Sequence, residues 1–286
     1  MAKSSLDNLL LHCALTEDLG FPCRDVTTDL LFTDDNFTQR AKIISKHAEP
    51  ITVCGIAWVE KVLGQFTSKA IIHSSYQDGD RLAPGDVLLT LEAPAAALLK
   101  SERLILNFLR HLSAIATLTA KYVACVQHTP LKILDTRKTT PGLRSLEKYA
   151  VHCGGGVNHR MGLFDAIMVK DTHIDLLGGM AATIERLPLQ SLHGLEVIVE
   201  TRTREELHTV LELGKNKVSR VLLDNMPLDM LRQCVEDCRT IFTTEASGNM
   251  SLAKIAAVAE TGVDFASVGE LTYNAGQVDL SMYTSN

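Results

Sequence analysis

Arg137, Lys138 and Arg144 crowd positive charge into one short segment that opens on Asp135 and turns at Pro141-Gly142. Guanidinium forks match planar carboxylates and phosphates, and a lysine ammonium is a compact point charge, so such a loop suits a small anion. A solvated basic loop has the same composition, and only the neighbouring segments decide against it. Gly154-Gly155-Gly156 lets the backbone approach a ligand or take positive φ, and His159-Arg160 adds donors soon after. Lys170 ends a later apolar run. Ser247-Gly248-Asn249 stands before a helix expected to begin near Ser251, where free N–H groups and the helix dipole make either a phosphate cradle or a plain N-cap. Glu200 and Asp224 are carboxylates inside this cationic set. They suit Mg²⁺, ribose hydroxyls or a developing cationic carbon.

Residues this far apart act together only if the fold gathers them. From about residue 131 the chain repeats one beat: apolar strand, polar end, helix. The expected strands are Lys132–Asp135, Ala166–Lys170, Leu195–Glu200, Val218–Asp224, Ile241–Glu245 and Asp264–Gly269, with helices over Glu205–Leu213, Leu228–Cys238 and Ser251–Thr261. Near-continuous apolar strands alternating with helices indicate a parallel sheet covered on its faces. An incomplete β/α barrel fits this beat, and an open doubly wound sheet competes with it. In a barrel every strand ends on one rim. That rim would carry Asp135, Arg137 and Lys138, then Lys170-Asp171, Glu200, Asp224-Asn225, Glu245 with Ser247-Gly248, and Gly269-Glu270. Ahead of this region the rhythm is irregular. It comprises an amphipathic helix over Leu6–Asp18, strands at Ala41–Ser45 and Ala70–His73, strand alternation over Asp78–Leu88 and a long helix from Ala95 to Val126.

Composition narrows the class. The chain has 286 residues of which 46% are hydrophobic, enough for one large domain or two ordinary ones. No apolar run approaches the roughly 18 residues of a membrane span, and the amino terminus lacks the apolar stretch of an export signal. The seven cysteines form no CxxC pair and read as reduced thiols, consistent with the cytoplasm. Cys234 and Cys238 are spaced for one face of a helix. A net charge of −6 argues against nucleic acid as the main partner but leaves a locally cationic site open. The residues alone thus point to a barrel-mouth enzyme for a multiply charged, phosphate-bearing anion, with Mg²⁺.

The run from Asp135-Thr-Arg-Lys-Thr-Thr-Pro-Gly-Leu-Arg-Ser-Leu-Glu-Lys-Tyr-Ala-Val151 to Gly-Gly-Gly-Val-Asn-His-Arg160 resembles the signature of quinolinate phosphoribosyltransferases. Glu102-Arg103, Leu106-Asn107, Ser113–Thr117, Leu223-Asp224-Asn225, Ser267-Val-Gly269 and the early Asp25-Val-Thr-Thr28 are similar to the same family. The resemblance spans nearly the whole chain. It implies the architecture of a type II phosphoribosyltransferase: an N-terminal α/β sandwich over residues 1–112, an incomplete α/β barrel over 113–270, and a tail, 271–286, that packs on the sandwich. It implies transfer of phosphoribose from phosphoribosyl pyrophosphate to quinolinate with decarboxylation, giving nicotinate mononucleotide for NAD biosynthesis. By the same resemblance, Arg137, His159 and Arg160 bind the quinolinate carboxylates. Lys138 and Lys170 lie between the substrates, and Glu200 and Asp224 sit near the ribose and Mg²⁺. Ser247, Gly248 and Gly269 hold the 5′-phosphate. Arg103 reaches into the partner's site of a homodimer, with larger assemblies left open.

The chain also departs from the family pattern. Thr172 stands for a usual Asn, Ile198 for the first acid of Glu-Val-Glu, Asn249 and Ala114 for glycines, and Tyr273-Asn274 for His-Ser. Three other functions stay compatible at this point. They are nicotinate or another pyridine carboxylate as substrate, Lys170 as the Schiff-base lysine of an aldolase-like barrel, and an anion-binding protein without turnover.

Overall fold

A computed structural model describes residues 2–32, 37–189 and 194–285. The chain forms two compact units, one of Met1–Leu118, Pro141–Gly155 and Ala275–Asn286, the other of Thr119–Thr140 and Gly156–Asn274.

The first unit begins with α1 (Ala2–Leu19) and α2 (Val26–Leu31), then β1 (Thr38–Ser45), β2 (Ile51–Thr52), α3 (Ile56–Leu63), β3 (Ile71–His73), β4 (Arg81–Leu82) and β5 (Val87–Pro94). The long helix α4 (Ala95–Val126) follows, with the bounds its sequence predicts. β1 alternates: Ala41, Ile43 and Ser45 are buried while Lys42 is exposed, the mark of a strand with one covered face. It pairs antiparallel with β5, and β3 extends the sheet on the far side of β5. Trp58 of α3 stacks on Phe108 of α4 with ring centroids 4.3 Å apart. The early Asp25-Val-Thr-Thr motif is a helix cap: Asp25 accepts the Thr28 hydroxyl and the N–H groups of Thr28 and Thr27, which holds its carboxyl below the usual range.

In the second unit every expected strand is present: β6 (Lys132–Leu134), β7 (Ile167–Val169), β8 (Val197–Thr201), β9 (Arg220–Asp224), β10 (Thr243–Ser247) and β11 (Phe265–Ser267). Between β6 and β7 the chain makes α5 (Arg144–Cys153), which clusters with the first unit. The remaining helices are α6 (Asp171–Leu176), α7 (Met180–Arg186), α8 (Arg204–Leu213), α9 (Leu228–Cys238), α10 (Leu252–Ala259) and α11 (Glu270–Tyr273). The carboxyl-terminal strand β12 (Leu280–Ser285) returns to pair antiparallel with β1. Cys234 and Cys238 are buried on one face of α9, as their spacing predicts.

The six parallel strands run in the order β6-β11-β10-β9-β8-β7. The first strand pairs with the last, and the order then descends without reversal. A doubly wound sheet must reverse its order at a switch point, so the open-sheet alternative does not hold. The sheet is a barrel left open between β6 and β7. A single parallel bridge from Leu134 to Val157 lies on that open edge of β6.

Candidate active site

Side chains alternate along a strand, so Arg220, Leu222 and Asp224 share one face of β9, Ile198 and Glu200 one face of β8, and Glu245 and Ser247 one face of β10. Their strand ends open on a cavity of about 600 Å³. Arg137, Lys138, His159, Arg160, Lys170, Glu200, Asp224, Ser247, Gly248 and Gly269 all line it. Arg103 does not. It lies on α4 with its side chain 58% exposed, 4.0 Å from Glu102. Of the departures from the family pattern, Asn249 and Tyr273 line the cavity. Thr172 is exposed in the first turn of α6 outside the lining, and Ile198 is buried one layer below Glu200.

The cationic loop is held from beneath. Asp135, fully buried, accepts the Asn158 amide at 2.6 Å and the His159 N–H at 2.8 Å, while Val157 N–H bonds the Ile133 carbonyl at 2.8 Å. The strand that leads to Arg137 and the segment carrying His159-Arg160 are thereby tied edge to edge. Thr136 Oγ1 accepts Lys138 N–H at 3.0 Å, and Thr272 donates to the Lys138 carbonyl at 2.6 Å. Gly269 leaves room for this arrangement: a Cβ there would lie 2.9 Å from Tyr273 and 3.1 Å from Lys138 Cδ. Next to it, the buried Tyr122 hydroxyl donates to Glu270. Burial, then the nearby Arg137 charge, lower the Arg160 pKa, so the two guanidiniums repel one another in a confined space.

Of the carboxylates that line the cavity, Glu200 and Asp224 stand at neighbouring strand ends. Burial raises the Glu200 pKa and the Asp224 charge raises it further, with Lys170 opposing. Asp224 is gripped on both oxygens, by Ser247 Oγ at 2.6 Å and Asn225 Nδ2 at 2.7 Å, and Asn249 Nδ2 reaches Asn225 Oδ1 at 3.1 Å. Gly248 adopts φ +87°, and a Cβ there would fall 2.1 Å from Asn225 Oδ1. Glycine at 248 is thus required both by backbone conformation and by the amide lying against it. Ser251 is the N-cap residue of α10 and makes no side-chain cap bond.

Glu245, which its strand-end position assigns to the rim, lines the cavity one layer below Ser247 and anchors a network there. Glu245 is fully buried, with His159 Nε2 at 3.3 Å, Arg220 at 3.1 Å and the Ser267 hydroxyl bonded to it. Arg220 also pairs with Glu196 at 2.7 Å and stacks over Phe265 at 4.1 Å. Burial would raise the Glu245 pKa, but the bond and charge of His159, then Ser267 and Arg220, hold it below the usual value. His159 Nδ1 in turn accepts the Arg160 N–H at 2.6 Å. The signal in the sequence is alternation: Glu245 lies two residues before Ser247, hence one layer deeper on the same face.

Comparison with known proteins agrees with this geometry. Residues 115–283 match the family described as "Quinolinate phosphoribosyl transferase, C-terminal domain", and residues 25–113 match its N-terminal domain. The chain is 38% identical over 282 residues to the "Probable nicotinate-nucleotide pyrophosphorylase [carboxylating]" of Bacillus subtilis (strain 168), covering 99% of this chain and 94% of that protein. It is 38% identical over 288 residues to "Quinolinate phosphoribosyltransferase [decarboxylating] 1b" of Nicotiana tabacum, covering 96% and 81% respectively. Among solved structures, the nicotinate-nucleotide pyrophosphorylase of Francisella tularensis superposes with a TM-score of 0.90 at 34% identity, over 98% of this chain and 96% of that one.

Proposed function

The chain belongs to the quinolinate phosphoribosyl transferase family, and on that premise we propose that it joins quinolinate to phosphoribosyl pyrophosphate, releasing CO₂ and pyrophosphate and forming nicotinate mononucleotide. The observation that carries this reading is one cavity in which Arg137, Arg160, Lys138 and Lys170 surround the Glu200–Asp224 pair. Arg137 and Arg160 hold the two carboxylates of quinolinate with His159 beside them, and a dianion relieves the repulsion between the guanidiniums. Each charge-assisted hydrogen bond contributes about 1.5–3 kcal/mol, so a few give micromolar binding. Ser247, Gly248 and Gly269 receive the 5′-phosphate. Fixing both anions side by side turns an encounter into a positioned reaction.

The pyridine nitrogen attacks C1′ as the bond to pyrophosphate breaks, and Glu200 or Asp224 faces the positive charge that develops there. The pyridinium so formed is an electron sink. Loss of the 2-carboxylate as CO₂ leaves a stabilised carbanion, and Lys138 or Lys170 supplies its proton. The Glu200–Asp224 oxygens fit Mg²⁺, because their mutual repulsion is what a hard divalent cation offsets. Bound there, Mg²⁺ would neutralise charge on the leaving pyrophosphate.

Arg103, outside the cavity lining and exposed, reads as a residue that completes the site of a second copy, which makes a homodimer the active unit. Exposed apolar side chains such as Phe21 (96%), Leu30 and Leu176 support such an association. Mixing Arg103→Ala with Arg137→Ala chains should restore part of the activity that each lacks alone; proven mixing without recovery would argue for self-contained sites. The seven free thiols support the cytoplasm as the compartment, and no helix among the described residues is long and apolar enough to cross a membrane. The deciding assay supplies quinolinate or nicotinate with phosphoribosyl pyrophosphate and Mg²⁺. Release of nicotinate mononucleotide from quinolinate alone supports the proposal; turnover of nicotinate instead would overturn it.

A further inference from the structure

Cys54, Asp78 and Cys153 come together within the first unit, and none of them lines the cavity. A ligand atom from each, two Sγ and one carboxylate oxygen, all lie within 4.8 Å of one another. They form the one such cluster of His, Cys, Asp or Glu among the described residues. Their sequence separation hides them, for neither cysteine belongs to a CxxC pair.

Each ligand is held by bonds that do not depend on the cluster. Cys54 lies fully buried between β2 and α3, its N–H bonded to Ser113 Oγ at 3.0 Å and its carbonyl accepting the same hydroxyl at 3.2 Å. Asp78 Oδ1 accepts the N–H groups of Gly55 at 2.9 Å and Ile56 at 3.1 Å, which ties the 78–80 turn to the start of α3. Cys153 is the last residue of α5, and the turn runs directly against it, a Cβ on Gly79 falling 3.4 Å from the Cys153 carbonyl. Tyr149, one turn earlier on α5, donates its hydroxyl to Asp78 Oδ2 at 2.9 Å.

We propose that Cys54, Asp78 and Cys153 bind one Zn²⁺ ion that clamps α5 to the β2–α3 junction. Two sulfurs with one carboxylate oxygen are a zinc donor set and a poor one for Mg²⁺, which takes oxygen almost exclusively. With Zn–S of about 2.3 Å and Zn–O of about 2.0 Å, tetrahedral ligand atoms stand roughly 3.5–3.8 Å apart. The cluster therefore closes by side-chain adjustments of about 1 Å or less. Two thiolates and a carboxylate exceed the ion's charge by one unit, which the α3 N–H groups and the Tyr149 hydroxyl offset from outside. The fourth position takes water. The clamp bears on the chain just before Gly154-Gly155-Gly156, the run that leads into His159-Arg160.

The test uses the full chain, stripped with a chelator under reductant, then titrated with zinc chloride alone. Calorimetry and elemental counting should give one zinc per chain with a raised Tm, and Co²⁺ in its place should give the near-ultraviolet absorption of cobalt–thiolate bonds. Cys153→Ser and Asp78→Asn should each abolish stoichiometric binding while keeping the circular dichroism of the folded chain. Tyr149→Phe should weaken affinity about 10- to 100-fold, as loss of an outer hydrogen bond does at zinc sites. Cys234→Ser and Glu200→Gln should leave binding intact. No zinc in the wild-type chain, full occupancy in both Cys153→Ser and Asp78→Asn, or a Cys54–Cys153 disulfide in the chain as isolated would each overturn the proposal.

Discussion

Glu200 and Glu245 project from strands of the same barrel, both shielded from water, yet their environments push them in opposite directions. Glu245, on the floor, is surrounded by His159, Ser267 and Arg220 and titrates below the usual range. Glu200, on the rim, has Asp224 beside it and titrates above. A buried charge with protein partners belongs to the architecture, whereas a buried charge set against another of its own sign marks a candidate ligand site. The floor holds the barrel together, and the rim carries the groups proposed to do the chemistry.

The largest effect that would sharpen this contrast is at the floor. Glu245→Ala leaves Arg220 and His159 facing a buried void, so unfolding in urea should show a loss of about 3–5 kcal/mol. A loss under 1 kcal/mol would erase the distinction between floor and rim. At the rim, Glu200→Gln should lower kcat about 10²-fold while Tm rises, since an ionised carboxylate beside Asp224 is removed.

The pH dependence separates the two further. A depressed folded pKa means that Glu245 contributes stability above the ordinary glutamate pKa and loses it as pH falls through its own lower value. A raised folded pKa gives Glu200 the opposite sign: its contribution is full below the ordinary glutamate pKa and is lost as pH rises through its higher value. The Tm advantage of Glu200→Gln over wild type should therefore grow from acid to neutral pH, and a constant gap would contradict the assignment. Arg137→Ala should cost about 1.5–3 kcal/mol in kcat/KM for each carboxylate bond lost, appearing chiefly as a raised KM for quinolinate; unchanged steady-state constants would remove Arg137 from the carboxylate site. Smallest of all, Thr272→Val removes the bond to the Lys138 carbonyl and should reduce stability by about 1 kcal/mol, read as a lower urea midpoint.

Local pattern carried the barrel a long way. The apolar runs at Val218–Asp224 and Ile241–Glu245 and the helical spacing over Leu228–Cys238 are periodic signals, and the matching elements are β9, β10 and α9. The rim residues were legible for the same reason, because a polar residue ending an apolar strand marks where the strand meets solvent or ligand. Glu245 was less so. It ends an expected strand and lines the cavity, but β10 runs on to Ser247 and sets Glu245 one layer deeper than the strand end. Pro141–Gly155 sits mid-sequence in the barrel region, yet its contacts are with the first unit, and no periodicity encodes which neighbour a helix chooses.

Sequence alone determined the β/α beat, the long helix, the cationic loop and the family, since each is written in residue type and short-range spacing. Tertiary structure alone decided that β6 pairs with β11, that β12 returns to β1, that His159 meets Glu245, and that Cys54 meets Cys153. These are contacts between residues tens to hundreds of positions apart. They are set by how the packed elements satisfy burial and hydrogen bonding together, which no local window of the chain contains.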